Sequence, residues 1–210
     1  YEGKILRFAL SDTCSGTGNQ KWIPDSNPYN DVAPIVGKSA VWNIGMRNNQ
    51  GFAYNPELNI LYGSSHGPFS DDEINIIEGF KNYGHPLVVG YAADGNYNGT
   101  TTPGLSTSIS VGVPFGWTGG IYGTDGQAAA ASSAPPIGNE TTNVNTINAN
   151  AALYGAYKDP IFSAYPGTGA GTVSSIWSAA STPGNAGWHS EGWSGLDLYT
   201  HTLIPGWKNS

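Results

Sequence analysis

The 210-residue chain carries 30 Gly, 14 Pro, 12 Tyr and 7 Trp, yet only 11% of its residues are charged and its formal net charge is −7. Eight Lys plus Arg cannot build the cationic footprint that displaces counterions from a phosphate backbone, which excludes nucleic acid as a partner and disfavours docking on anionic lipid. No segment approaches the roughly 20 apolar residues of a membrane span, and the single cysteine, Cys14, excludes an internal disulfide and reads as an inert thiol.

Helical bundles need Ala, Leu, Glu and Lys at helical spacing, and no stretch sustains it. Gly, Pro, Asn, Thr and aromatics alternate in short runs instead, as turn-rich β-structure requires. The expected fold class is all-β. In chain order the predicted strands are Lys4–Leu10, Ala40–Ile44, Gly51–Tyr54, Ile60–Ser64, Glu73–Ile77 and Leu87–Tyr91, each bounded by Gly, Pro, Asn or Asp. Gly195–Thr200 reads as one more. Their spacing suits antiparallel blades, although pattern alone leaves sandwich and propeller open. Charge divides unevenly: residues 1–100 hold 16 of the 23 charged side chains, and Thr101–Tyr157 holds only Asp125 and Glu140. Such a segment buries little apolar area, so long polar loops are expected there, anchored by Val111, Phe115, Trp117, Ile121 and Tyr122.

Several chemistries find no support. His66, His85, His189 and His201 are scattered, with no H-E-x-x-H and no Cys pair for zinc, and no G-x-S-x-G marks a serine nucleophile. Asp94–Gly99 copies the first half of an EF-hand loop, but Leu105 stands where the closing Glu belongs, so a turn-rich loop is expected. Asn98 and Asn139 head sequons, which matter only on a glycosylating secretory route. Trp177, Trp188, Trp193 and Trp207 read as core or channel lining before sugar platforms. The run Asp71-Asp72-Glu73 sets three like charges side by side, either as solvated loop acids or around a cation.

One ordered set of motifs is more specific. Gly45-Met46-Arg47-Asn48-Asn49-Gln50-Gly51-Phe52-Ala53 is followed by His66-Gly67-Pro68, then Asp71-Asp72-Glu73-Ile74-Asn75, then Asn82-Tyr83-Gly84-His85-Pro86. In order and spacing this run resembles the glucose/sorbosone dehydrogenase family, whose pattern there is G-H-R-N-P-Q-G-L-A, H-G-P or Q-G-P, D-D-E-I-N and N-Y-G-W-P. Gly3–Arg7 and Ile23–Pro28 upstream, and Ser194–Tyr199 and Ile204–Trp207 downstream, resemble further family segments. The resemblance is dense over residues 1–95, sparse from 96 to 175, and returns at the end.

It implies a six-bladed β-propeller binding pyrroloquinoline quinone (PQQ) and calcium (Ca2+) at one mouth of its channel, where the quinone takes hydride from an aldose. Residues 1–210 would then form part of a single propeller domain: a motif-dense 1–95, a loop-rich insert over about 96–175, and further blade strands in 176–210. The resemblance implies that Arg47 hydrogen-bonds a quinone oxygen, with Asn48 beside it at the ring edge, and that the carbonyls of Gly67 and Pro68 ligate calcium. It assigns a second, structural calcium region to Glu73 with backbone oxygens of Tyr83, Val89 and Tyr91. An expected acidic ligand falls at Ala93, and a one-residue shift brings in Asp94. Other departures are Asn49 for the family's Pro and His85 for its Trp.

The family's catalytic histidine would lie upstream of this chain, and its later Lys and Arg contacts downstream, so the chain alone is expected not to turn over sugar. It begins at Tyr1 with no leader-like segment and reads as part of something longer, secreted or periplasmic. Open strand edges at both ends are expected to pair with the rest of the propeller or another chain. The alternative function is a non-catalytic, calcium-stabilised propeller module for glycan binding or extracellular assembly.

Overall fold

The structure, a computed structural model, describes residues 3–32, 37–67, 71–85, 88, 90–94, 140–166 and 191–208. Its strands are β1 (Lys4–Leu6), β2 (Val41–Ile44), β3 (Asn49–Asn55), β4 (Ile60–Ser65), β5 (Glu73–Ile76), β6 (Lys81–Asn82), β7 (Ala156–Tyr157) and β8 (Phe162–Ser163), with helices α1 (Glu140–Ala149) and α2 (Ala151–Tyr154) before β7. They form two four-stranded sheets, ordered β1-β2-β6-β7 and β3-β4-β5-β8.

The second sheet follows the strand pattern closely. On β3, Gly51, Ala53 and Asn55 are buried while Gln50, Phe52 and Tyr54 are exposed, the period-two signature of a strand with one covered face. The β3–β4 turn is built by its own polar side chains. Asn55 Oδ1 accepts the N–H groups of Glu57 (3.0 Å) and Leu58 (3.1 Å), and Asn59 sits at φ 54° with its Oδ1 accepting the Tyr54 hydroxyl at 2.8 Å. Ala53 pairs with Tyr62 and Tyr62 with Ile76, all antiparallel. Met46, Ile77 and Tyr83 form a buried cluster between the sheets, joined by Ile5 and Trp42 from one and Leu61 from the other.

Four expectations need correction. Antiparallel pairing is not universal, since β2–β6 and β6–β7 are parallel. β6 and β7 are two-residue bridges that close the open side of β2, so no tight hairpin dictates their direction. The stretch expected as loops contains α1 and α2, which bury Asn143, Ile147 and Tyr154 on one side and stop at Gly155, φ 76°. An asparagine at a buried helical position hides the apolar period. Gly195–Thr200 forms no ladder; it lies over the second sheet, where Leu196 and Leu198 line a cavity of about 260 Å³ with Ala53, Tyr62, Ile74 and Ile161. Val88, Gly90 and Tyr91 of the predicted Leu87–Tyr91 strand are not in a strand, and Leu87 and Val89 lie outside the described residues.

Among the described residues no closed ring of blades forms, and no helix is long and apolar enough to cross a membrane.

Candidate cofactor-facing site

The site starts from a tight junction after β2. Gly45 has φ 77°, which turns the chain so that Arg47 and Asn48 leave the sheet together. Arg47 Nη1 donates to the carbonyl oxygens of His66 (3.3 Å) and Gly67 (3.2 Å), while the His66 N–H donates to the Asn48 carbonyl at 3.1 Å. The loop carrying Arg47 and the turn carrying Gly67 are therefore sewn together. Asn48 Oδ1 accepts Gln50 Nε2 at 2.6 Å. Pro68 lies outside the described residues.

Arg47 faces two spaces. One is an open cleft of about 460 Å³ lined by Lys4, Met46, Arg47, Asn48, Asn49 and Phe52 among others. Two cationic side chains, two amides and a ring edge suit a planar, polyanionic ligand. The other is a void of about 10 Å³ bounded by Arg47, Gly67, Glu73, Tyr83 and Val88, room for one water or ion.

The acidic run is buried, not solvated. Asp71 and Asp72 are both 0% exposed. Each of the three carboxylates has donors from a different part of the chain. Asp71 Oδ1 accepts the Ser163 hydroxyl at 2.7 Å. Asp72 accepts backbone N–H groups from Gly67 (3.0 Å), Glu191 (2.8 Å) and Gly192 (2.6 Å). Glu73 accepts Gly90 N–H and Asn75 Nδ2, each at 2.9 Å, with Ser65 Oγ at 3.4 Å. Burial pushes the Glu73 carboxyl up to about 7, with the nearby Asp71 charge adding to the rise and its three donors opposing it. The residue keeps some exposed surface, but these donors enclose its carboxylate.

Of the other residues assigned to the structural calcium region, Asp94 Oδ2 accepts the Tyr91 N–H at 3.1 Å, and Asp94 and Asp71 flank Gly90 closely enough that a Cβ there would meet both. Tyr83 packs into the core, its hydroxyl donating to the Ile76 carbonyl at 2.6 Å, and burial raises that phenol further. Val89 lies outside the described residues. The described residues contain no group of three or more His, Cys, Asp or Glu side chains placed to hold a metal. Sequence reasoning missed Lys4 as a cleft residue and Asp72 as an anchor. The Asp-Asp-Glu run was a signal for the second, but its partners lie about 120 residues away in sequence.

A family model described as Glucose / Sorbosone dehydrogenase matches residues 3–132, a range that holds the Arg47 loop, the Gly67 turn and the acidic run. The chain belongs to that family. Aldose sugar dehydrogenase YliI of Escherichia coli (strain K12) is 36% identical over 111 residues, covering 53% of this chain and 26% of that protein. Quinoprotein glucose dehydrogenase B of Acinetobacter calcoaceticus is 41% identical over 98 residues, covering 46% and 17% respectively. The PQQ-bound aldose sugar dehydrogenase of Streptomyces coelicolor is 33% identical over 42% of this chain and 21% of its own, with a TM-score of 0.30. The chain thus spans about a quarter or less of each of these relatives.

Proposed function

We propose that this chain supplies the quinone-contacting part of a PQQ- and calcium-dependent sugar dehydrogenase built as a β-propeller. The observation that carries the reading is Arg47, which lines the cleft beside Lys4 and Asn48 while its guanidinium is held by the Gly67 turn. PQQ, when bound, supplies the acceptor for hydride from an aldose. Arg47 and Asn48 orient it, and the Arg47 and Lys4 cations favour the negative charge that develops on reduction.

Calcium fits the donor chemistry in two regions. The carbonyls of Gly67 and Pro68 are hard oxygen ligands, and the Gly67 oxygen has a second lone pair beyond the one facing Arg47. Glu73 would form the second with the Asp94 carboxylate and the carbonyls of Tyr83, Val89 and Tyr91, and a cation there would stabilise a carboxyl whose burial disfavours its charged form. Both sites have to rely on backbone oxygens. The proton-accepting histidine and the remaining quinone contacts would come from the rest of a secreted or periplasmic protein.

Tryptophan-fluorescence titration with PQQ tests the reading. Arg47→Ala is expected to weaken binding about tenfold or more, the effect of losing one charge-assisted hydrogen bond. Unchanged affinity would mean that the guanidinium serves only the turn, and would favour a non-catalytic, glycan-binding or structural propeller module.

A further inference from the structure

We propose that Asp72 is a positioning residue for the cofactor-facing turn, fixing the peptide that holds Arg47 and tying it to the distant 191–192 segment. This rests on the quinone-contacting role of Arg47 proposed above.

One peptide unit links Asp72 to Arg47. The bond between His66 and Gly67 presents its N–H to Asp72 Oδ1 at 3.0 Å and its carbonyl to Arg47 Nη1 at 3.3 Å. The carboxylate therefore sets the rotation of that peptide plane, and the plane sets where the guanidinium finds its acceptor. A buried negative charge on the N–H side also polarises the peptide and makes its carbonyl a stronger acceptor for a cation. On the far side, Asp72 Oδ2 accepts Glu191 N–H at 2.8 Å and Gly192 N–H at 2.6 Å. Three donors on one fully buried carboxylate explain why it tolerates burial.

The backbone around Asp72 is committed to this arrangement. Asp71 is held at φ 62°, an unfavourable value for a residue with a side chain, and its N–H donates to the Ala164 carbonyl at 3.0 Å. The Ala164 N–H returns to the Asp72 carbonyl at 2.9 Å, clamping both acids to the end of the β5–β8 pair. Gly192 lies at φ 69°, which lets two successive N–H groups converge on one oxygen. Position 72 thus joins the Arg47 loop, the Gly67 turn and the 191–192 segment in one continuous set of hydrogen bonds.

Asp72→Asn removes the charge and cannot satisfy both sides. An amide has one oxygen, so either Gly67 N–H or the Glu191–Gly192 pair meets an NH2 group. The test is a double-mutant cycle on PQQ affinity, read by fluorescence titration well below the melting temperature of every variant. Asp72→Asn is expected to weaken binding about tenfold in the unmodified protein and to add nothing in the Arg47→Ala background. Gly192→Ala, which strains the backbone at φ 69° and sets a methyl in ordinary contact with the His66 ring, is expected to give a smaller loss, about threefold, that likewise vanishes without Arg47; it carries the test if Asp72→Asn does not fold. Equal losses in both backgrounds, or none in either, would overturn the positioning role while leaving the cofactor reading intact. Arg47→Ala binding PQQ as tightly as the unmodified protein would overturn the cofactor reading itself, and this proposal with it.

Discussion

Gly45→Ala, at a half-buried position, is expected to lower the melting temperature by about 10 °C. Two effects add. At φ 77° an alanine loses about 1–2 kcal/mol relative to glycine. Its Cβ would also sit 2.6 Å from Gly84 N and 2.8 Å from Tyr83 N and collide with Asn82 Oδ1. The backbone cannot retreat, because Tyr83 N–H donates to the Ile44 carbonyl and His85 N–H to the Gly45 carbonyl, each at 3.0 Å. Overpacking of this kind costs a further 1–3 kcal/mol or so, a large share of the roughly 5–15 kcal/mol that holds a domain together. Gly206→Ala is the control: φ is 80° there, but nothing lies within 4 Å of the added methyl, so only the backbone part should appear. Equal melting shifts for the two variants would mean that the junction carrying Arg47 is not packed as described.

The second large effect concerns Glu73 and pH. Its folded-state pKa is raised from 4.5 to about 7, so between those values the unfolded chain releases a proton that the folded chain keeps. Folding therefore binds protons in this window, and stability falls as pH rises through it. The contribution is fully present below the unfolded pKa and lost above the folded one, a difference of up to about 3 kcal/mol. In chelator, the unmodified protein should lose stability between pH 4.5 and 7 relative to Glu73→Gln, which has no proton to lose. A cation beside Glu73 would draw its pKa down and return that stability at neutral pH. Millimolar calcium should therefore raise the melting temperature more at pH 7.5 than at pH 5, and less in Glu73→Gln. Parallel pH profiles for the two proteins would contradict the burial of this carboxyl. A calcium effect indifferent to Glu73 would remove the second calcium region.

Much of the second sheet was legible. The predicted strands Gly51–Tyr54 and Ile60–Ser64 have ends within two residues of the observed β3 and β4. The α1 helix was not, because Asn143 holds a buried position where the eye looks for Leu or Ile. The C-terminal segment has a strand's composition but lies across a sheet face, held at one end by Asp72 and at the other by Lys208 Nζ at 2.8 Å from Glu57 Oε1. Such placement depends on partners far away in sequence. The acidic run shows the same limit. Three adjacent carboxylates signal that something must relieve their repulsion. Only the fold reveals that Ser163, Gly90, Glu191 and Gly192 bring donors to them. Arg47 was singled out by its motif, and its guanidinium bonds the His66 and Gly67 carbonyls while the residue lines an open cleft.

The quinone-contacting role proposed for this chain is read in aldose-dependent dye reduction by the full-length protein loaded with PQQ and calcium. The expected result is turnover that requires PQQ and that Arg47→Ala reduces about a hundredfold in kcat, with a smaller change in KM, because the guanidinium acts on charge that develops during the reaction. Loaded full-length protein that reduces no dye with any aldose, and that Arg47→Ala leaves unchanged in PQQ affinity, would contradict the account.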